Sequence, residues 1–209
     1  LGIMDCLIIT SPHSIHFQNR PDCPDKVFLF MQMAEHLFRP DDMAWRQACT
    51  EFYTSKHPMF CISAWNIDML RKDFGRTGEC IYIGNGVNMD DFPISHAPKD
   101  GKTVLVEGWE AGNPSKDYNR IGPAVARMLR KYGYRILAYG IHPCRTLHHV
   151  PHEYYIKPDT NTLNMLYERA TILIKASRYD ARSCSPMEAM TKGTVTVRAI
   201  EKGDDDLVH

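Results

Sequence analysis

Residues 171–197, TILIKASRYDARSCSPMEAMTKGTVTV, decide how the chain is read. The run 171–175 is short, apolar and β-branched, the pattern of a strand covered on both faces of a parallel sheet. Polar residues take over at Ser177 and continue to Ser185, which marks a loop. Ser185-Pro186-Met187-Glu188 then has the form of a capping box, with Ser185 as N-cap, Pro186 at the first helical position and Glu188 reaching back. Gly193 closes this short helix, and 194–197 is β-branched again. The stretch therefore predicts strand, loop, helix and strand, with the loop at the carboxyl end of the first strand. In an open α/β sheet, ligands bind there.

Two carboxylates frame the loop, Asp180 before the helix and Glu188 inside it, with seven residues between them. The backbone N–H groups of Ser183, Cys184 and Ser185 lie at the positive end of the predicted helix and form a candidate anion site. An acidic residue, seven others and a Glu, then Ala189-Met190 and Gly193-Thr194, resemble the retaining glycosyltransferases of family 4. Asp180 stands where that family has Glu, and Ala181-Arg182-Ser183-Cys184 replaces a Gly-rich segment. A second stretch, Asn85-Gly86-Val87-Asn88 followed by Phe92, resembles the family's interdomain segment, and it lies about 100 residues upstream of the first.

The resemblance implies two Rossmann-like domains with parallel sheets facing a cleft, the GT-B fold. It puts an abbreviated acceptor-side domain at 1–95 and a nucleotide-sugar-binding domain at 96–209. It implies transfer of a sugar from a nucleoside diphosphate sugar with retention, without a metal or other cofactor. The donor-side residues are Gly108, Trp109, Lys116, Ser183, Cys184, Ser185 and Glu188, with Trp109 where the family usually has Arg. Asp180, Glu188 and Lys116 carry the chemistry: Lys116 and the helix amides meet the diphosphate, and Glu188 takes the ribose. The acceptor is a saccharide, a lipid or a protein. A binding or assembly module that has lost catalysis and a GT-B sugar-nucleotide epimerase are the alternatives.

Bulk properties agree with a globular enzyme. The 209 residues suffice for one large or two small domains. Lys plus Arg and Asp plus Glu number 25 each, so no global basic field draws the chain to nucleic acid. Peripheral membrane contact and self-association stay open. The seven cysteines are scattered without a CxxC pair, which argues against a disulfide framework or zinc site and for a reducing cytoplasm. No apolar run approaches the length of a membrane span, and no signal peptide is visible.

Along the chain, 5–10 reads as a strand, 11–25 as a long surface loop rich in His, Pro and Asp, and 26–32 as a second strand. That strand delivers Glu35 and His36 at its carboxyl end, the acceptor-side candidates, against a reading in which they open a solvated helix. Asp41 and Asp42 cap a helix in which Trp45, Ala48, Cys49 and Phe52 recur at helical spacing. Strand 59–63 follows, then a helix capped by Ser63 through Ile67, Leu70 and Phe74, then strand 80–83. This alternation implies a parallel sheet. Residues 93–102 read as a polar linker. The second half restarts with strand 103–108, a helix with Ile121, Val125, Met128 and Leu129 on one face, and strands 135–140 and 153–157. Helix 161–170 carries Leu163, Leu166, Tyr167 and Ala170 inward. His148, His149 and His152 read as a surface cluster, not as a metal site, and the acidic tail 201–209 reads as frayed.

Overall fold

The computed structural model describes residues 5–108, 121–142 and 149–203. They divide into two compact units: one runs to Asn85 and includes Tyr179–Arg182, and the other comprises Gly86–Arg178 and Ser183–Glu201. The sequence reading puts the division near residue 95.

The first unit is a parallel four-stranded sheet in sequential order, β1 (Leu7–Ile9), β2 (Val27–Met31), β3 (Met59–Cys61) and β4 (Cys80–Tyr82). Side chains alternate across these strands. Val27, Leu29 and Met31 face a sealed core with Met59 and Cys61, and Phe28 stacks on Phe60 on the partly covered face. Helix α1 (Met43–Thr54) closes the core with Trp45, Cys49, Phe52 and Tyr53. Asp42 caps it as expected, accepting from the Trp45 N–H at 3.0 Å. Such a cap contributes about 1 kcal/mol. Ser63 caps α2 (Ala64–Lys72) in the same way, accepting from the Asn66 N–H at 3.1 Å. This helix buries Asn66, Met69 and Leu70, while Ile67 and Phe74 are only partly covered.

Residues 11–25 depart from the expected surface loop. Pro12–Asn19 forms 3-10 turns, and Ile15, its apolar anchor, is 4% exposed within the core. A second anchor was not foreseen. The buried Arg76 guanidinium donates to the carbonyls of Tyr53, Ser55, His57 and Glu79. It thereby satisfies acceptors that follow α1 or end it, where the helix leaves its last carbonyls without partners.

The second unit is a five-stranded sheet in the order β7-β6-β5-β8-β9. Its strands are β5 (Thr103–Glu107), β6 (Arg135–Gly140), β7 (Glu153–Ile156), β8 (Ile172–Asp180) and β9 (Val195–Gly203), with β5 parallel to both β6 and β8, and β6 parallel to β7. Alternation fills two cores. Leu105, Leu137 and Leu173 face α4 (Thr160–Arg169) through Leu166 and Tyr167. Val104, Val106, Ile136, Ala138 and Ile174 pack with Ala126 of α3 (Ile121–Lys131). The buried face of α3 is shifted from the expected one: Gly122, Pro123 and Ala126 are inside, with Val125 and Leu129 against them. Ile121 and Met128 are exposed, because close packing on the sheet selects the small residues of this helix.

The expected linker is docked rather than free. Phe92 enters the core beside Tyr167. The Lys99 ammonium donates to the carbonyls of Tyr167 at 2.8 Å and Glu168 at 2.7 Å, serving the carboxyl end of α4 as a cation should. The buried Lys192 donates to the Pro93 carbonyl.

Candidate functional site

In the second unit the chain runs outward from β5 to β6 and β7, then returns to lay β8 on the other side of β5. Strand order thus reverses at β5 and β8, which is where an open α/β sheet forms its ligand crevice. A cavity of about 560 Å³ lies there. Its walls are Glu107 at the end of β5, Tyr139 and Gly140 at the end of β6, Lys157 after β7, Tyr167 on α4, Lys175 on β8, and Cys184, Ser185 and Glu188 on α5 (Cys184–Met190).

Glu107 and Lys175 form an ion pair on the floor, Nζ to Oε2 2.7 Å, with side chains 7% and 6% exposed. Charged residues are rarely this buried unless paired. Ser185 completes the group: its hydroxyl donates to Glu107 Oε2 at 2.5 Å and accepts from Lys175 Nζ at 3.1 Å. Glu188 sits one turn further along α5. Tyr167 donates to its Oε2 at 3.1 Å, and the Tyr167 and Tyr139 hydroxyls are 3.2 Å apart. Burial raises the Glu188 carboxyl above the ordinary range; the Tyr167 hydrogen bond opposes this, Glu107 adds to it and Lys175 opposes it. Desolvation pushes the Tyr167 phenol up as well.

These bonds overturn the expected capping box. Ser183, not Ser185, is the N-cap of α5, without a side-chain cap bond, and Pro186 lies inside the helix. Ser185 is occupied by Glu107 and Lys175, and Glu188 by Tyr167, so neither is available to cap. The expected loop from Ser177 is also largely absent: β8 continues through Asp180. Strand β9 beside it is equally long, and a hydrogen-bonded neighbour carries a strand past the end of its apolar residues. Gly193 takes a left-handed φ of +68° in the turn after α5, as expected.

Of the expected donor-side residues, Cys184, Ser185 and Glu188 meet in the cavity. Gly108 is buried at the end of β5, its N–H donating to the Tyr139 carbonyl at 2.6 Å. A side chain at Gly140 would collide with the Gly108 carbonyl, so this corner of the rim requires glycine. Trp109, Lys116 and His148 lie outside the described residues. Asp180 is 3% exposed and belongs with the first unit, as do Glu35 and His36. Glu35 lies on the 3-10 turn Glu35–Leu37 after β2. Burial drives its carboxyl up to about 8. The Tyr53 hydroxyl donates to it at 3.4 Å and lies 3.5 Å from His36 Nδ1, so the pair turns inward on Tyr53.

Sequence reasoning missed Glu107, Lys175, Tyr139 and Tyr167. The first two had a signal: both end apolar strand runs, TVLVE and TILIK, where a charge needs an opposite partner. The tyrosines had a weaker one, since a buried phenol needs a hydrogen-bond partner. Among the described residues, no group of three His, Cys, Asp or Glu is placed to hold a metal, and no helix is long and apolar enough to cross a membrane.

No family model and no curated protein matches the sequence. Solved structures do match the fold. Sucrose-phosphate synthase from Thermosynechococcus elongatus superposes with a TM-score of 0.73 at 15% identity, covering 93% of this chain and 55% of that one. TarM gives 0.73 at 17%, covering 99% and 44%. The catalytic domain of starch synthase IV from Arabidopsis thaliana gives 0.64 at 14%, covering 93% and 56%. The chain spans about half the length of these structures. Over the length it spans, its two Rossmann-like units have the GT-B fold of those glycosyltransferases.

Proposed function

We propose that the second unit binds a nucleoside diphosphate sugar and that the protein transfers the sugar to a saccharide acceptor with retention. The observation that carries this reading is the cavity at the strand reversal, walled by Glu188 and by the start of α5. Glu188 accepts from the ribose hydroxyls. Lys116 and the amides of Ser183, Cys184 and Ser185 meet the charge that develops on the diphosphate as the glycosidic bond breaks. Asp180 favours positive charge at the anomeric carbon. The scheme uses no metal. A cytoplasmic setting belongs to the proposal and is supported by the free thiols, among them Cys6, Cys23 and Cys184.

Two solved relatives carry the product such a donor leaves behind: TarM of S. aureus is in complex with UDP, and the Arabidopsis starch synthase IV with ADP and acarbose. A binding module without catalysis is the second reading, favoured by Trp109 and Asp180 in place of the Arg and Glu usual in family 4. Incubation with radiolabelled UDP-, ADP- and GDP-sugars and a panel of saccharides separates the two. Transfer that persists in EDTA is expected, and Asp180→Asn lowers turnover about tenfold with nucleotide affinity kept. Binding without turnover establishes the module, and activity restored only by added manganese removes the metal-free scheme.

A further inference from the structure

Packing accounts for the ring of Tyr167 but not for its hydroxyl. The residue is fully buried on α4, its ring fixed between Phe92, centroid 6.1 Å away, and Tyr139, edge-on at 6.2 Å. Phenylalanine would fill this space. The hydroxyl instead reaches the cavity wall and donates to Glu188 Oε2, with the Tyr139 hydroxyl behind it.

We propose that Tyr167, backed by Tyr139, is the positioning residue of Glu188, and that this chain makes the cavity select ribose over 2′-deoxyribose. The inference rests on the reading of the second unit as a nucleoside diphosphate sugar site. A carboxylate only accepts hydrogen bonds. Held at Oε2 by a ring without rotational freedom, it presents Oε1 and the second lone pair of Oε2 in a fixed plane. Two vicinal hydroxyls match that arrangement, and a 2′-deoxyribose brings only one. A site built to accept a hydroxyl discriminates against the analogue that lacks it.

The hydrogen bond also protects the acceptor character of Glu188. Burial and the Glu107 carboxylate favour its protonated form, whereas Tyr167 and the Lys175 ammonium favour the charged one. Lys157 and Cys184 are the other ionisable groups on the same cavity, with Tyr139. Once protonated, Glu188 loses an acceptor site. Removing the Tyr167 hydroxyl moves this titration upward, so nucleotide binding is lost at a higher pH on acidification.

Titration calorimetry with UDP, ADP and their 2′-deoxy counterparts between pH 5 and 8 tests the proposal. Wild type is expected to bind the ribonucleotides tighter by about tenfold. Tyr167→Phe is expected to lose most of that preference by weakening the ribonucleotides alone, and to shift the acid limb of binding upward. Tyr139→Phe acts in the same direction to a smaller extent and carries the test if Tyr167→Phe does not fold. Folded variants with wild-type affinity, preference and pH profile overturn the proposal while Glu188→Gln still weakens binding. A wild type that binds no nucleoside diphosphate overturns the donor reading, and this inference with it.

Discussion

Each unit places a carboxylate against a buried tyrosine hydroxyl, and the two pairs come to opposite ends. Tyr53 donates to Glu35 Oε2 at 3.4 Å, and Tyr167 donates to Glu188 Oε2 at 3.1 Å. Around Glu35 the dominant influence is burial, opposed by hydrogen bonds from Tyr53 and its own backbone, and the carboxyl rises to about 8. The group is mostly neutral at physiological pH. It in turn helps hold the Cys49 thiol up at about 12, behind burial as the main cause. Glu188 has Lys175 among its influences and opens onto a cavity. A carboxylate sealed without a cation becomes a packing element, whereas one given a cation and an opening keeps the charge that binding needs.

Lys175 is therefore where the comparison is most easily broken. Lys175→Met leaves Glu107 buried without its ammonium, a loss of about 3–5 kcal/mol. Replacing both partners, Lys175→Met with Glu107→Leu, is expected to recover most of it, since two apolar groups of similar volume leave no charge behind. Urea unfolding of the two single variants and the double variant gives the coupling energy. A Lys175→Met protein as stable as wild type would mean that the floor of the cavity is wet and the pair screened.

The first unit's pair makes its mark in the pH dependence of stability. The unfolded chain has an ordinary Glu35, near 4.5, and the folded chain holds the proton to about 8. Between these values the folded state binds more protons, so the contribution is fully present below 4.5 and is lost as pH rises through about 8. The slope reaches up to about 1.4 kcal/mol per pH unit. Glu188 is raised too and tilts the curve the same way. The telling quantity is thus the difference between wild type and Glu35→Gln in urea midpoints at pH 5, 6, 7 and 8. Parallel curves would mean that Glu35 is already ionised in the folded state.

Much of this was legible beforehand, for reasons that differ by element. Parallel strands of the KVFLF and TVLVE kind announce themselves, because burial on both sides leaves no polar face to confuse the pattern. The caps of α1 and α2 were readable because Asp42 and Ser63 act locally. The cap of α5 was misread for the opposite reason: Ser185 and Glu188 have the right spacing for a local bond, but Glu107, Lys175 and Tyr167, all distant in sequence, take them. The same rule covers Arg76, whose four carbonyl partners come from both sides of β3. Glu188 was found and its neighbours were not, since spacing along one segment is visible in sequence and convergence of β5, β6, α4 and β8 is not.

The smallest effect sharpens the contrast most. Tyr53 is fully buried, with its hydroxyl 3.4 Å from Glu35 Oε2, 3.4 Å from the His36 N–H and 3.5 Å from His36 Nδ1. These distances are at the weak end of hydrogen bonding. The ring packs edge-on against Phe52, Phe74 and His36, contacts that Phe retains. Tyr53→Phe removes a donor from a carboxyl that is already mostly neutral, so the expected cost is about 1 kcal/mol or less. Because the Tyr53 bond lowers the Glu35 titration, its removal moves the loss of stability to still higher pH. Nucleotide affinity should be the same as in wild type, in contrast to Tyr167→Phe. If urea unfolding and UDP titration instead show Tyr53→Phe weakening binding as Tyr167→Phe does, the Glu35 pair is no passive element of packing, and the distinction between sealed and open carboxylates fails.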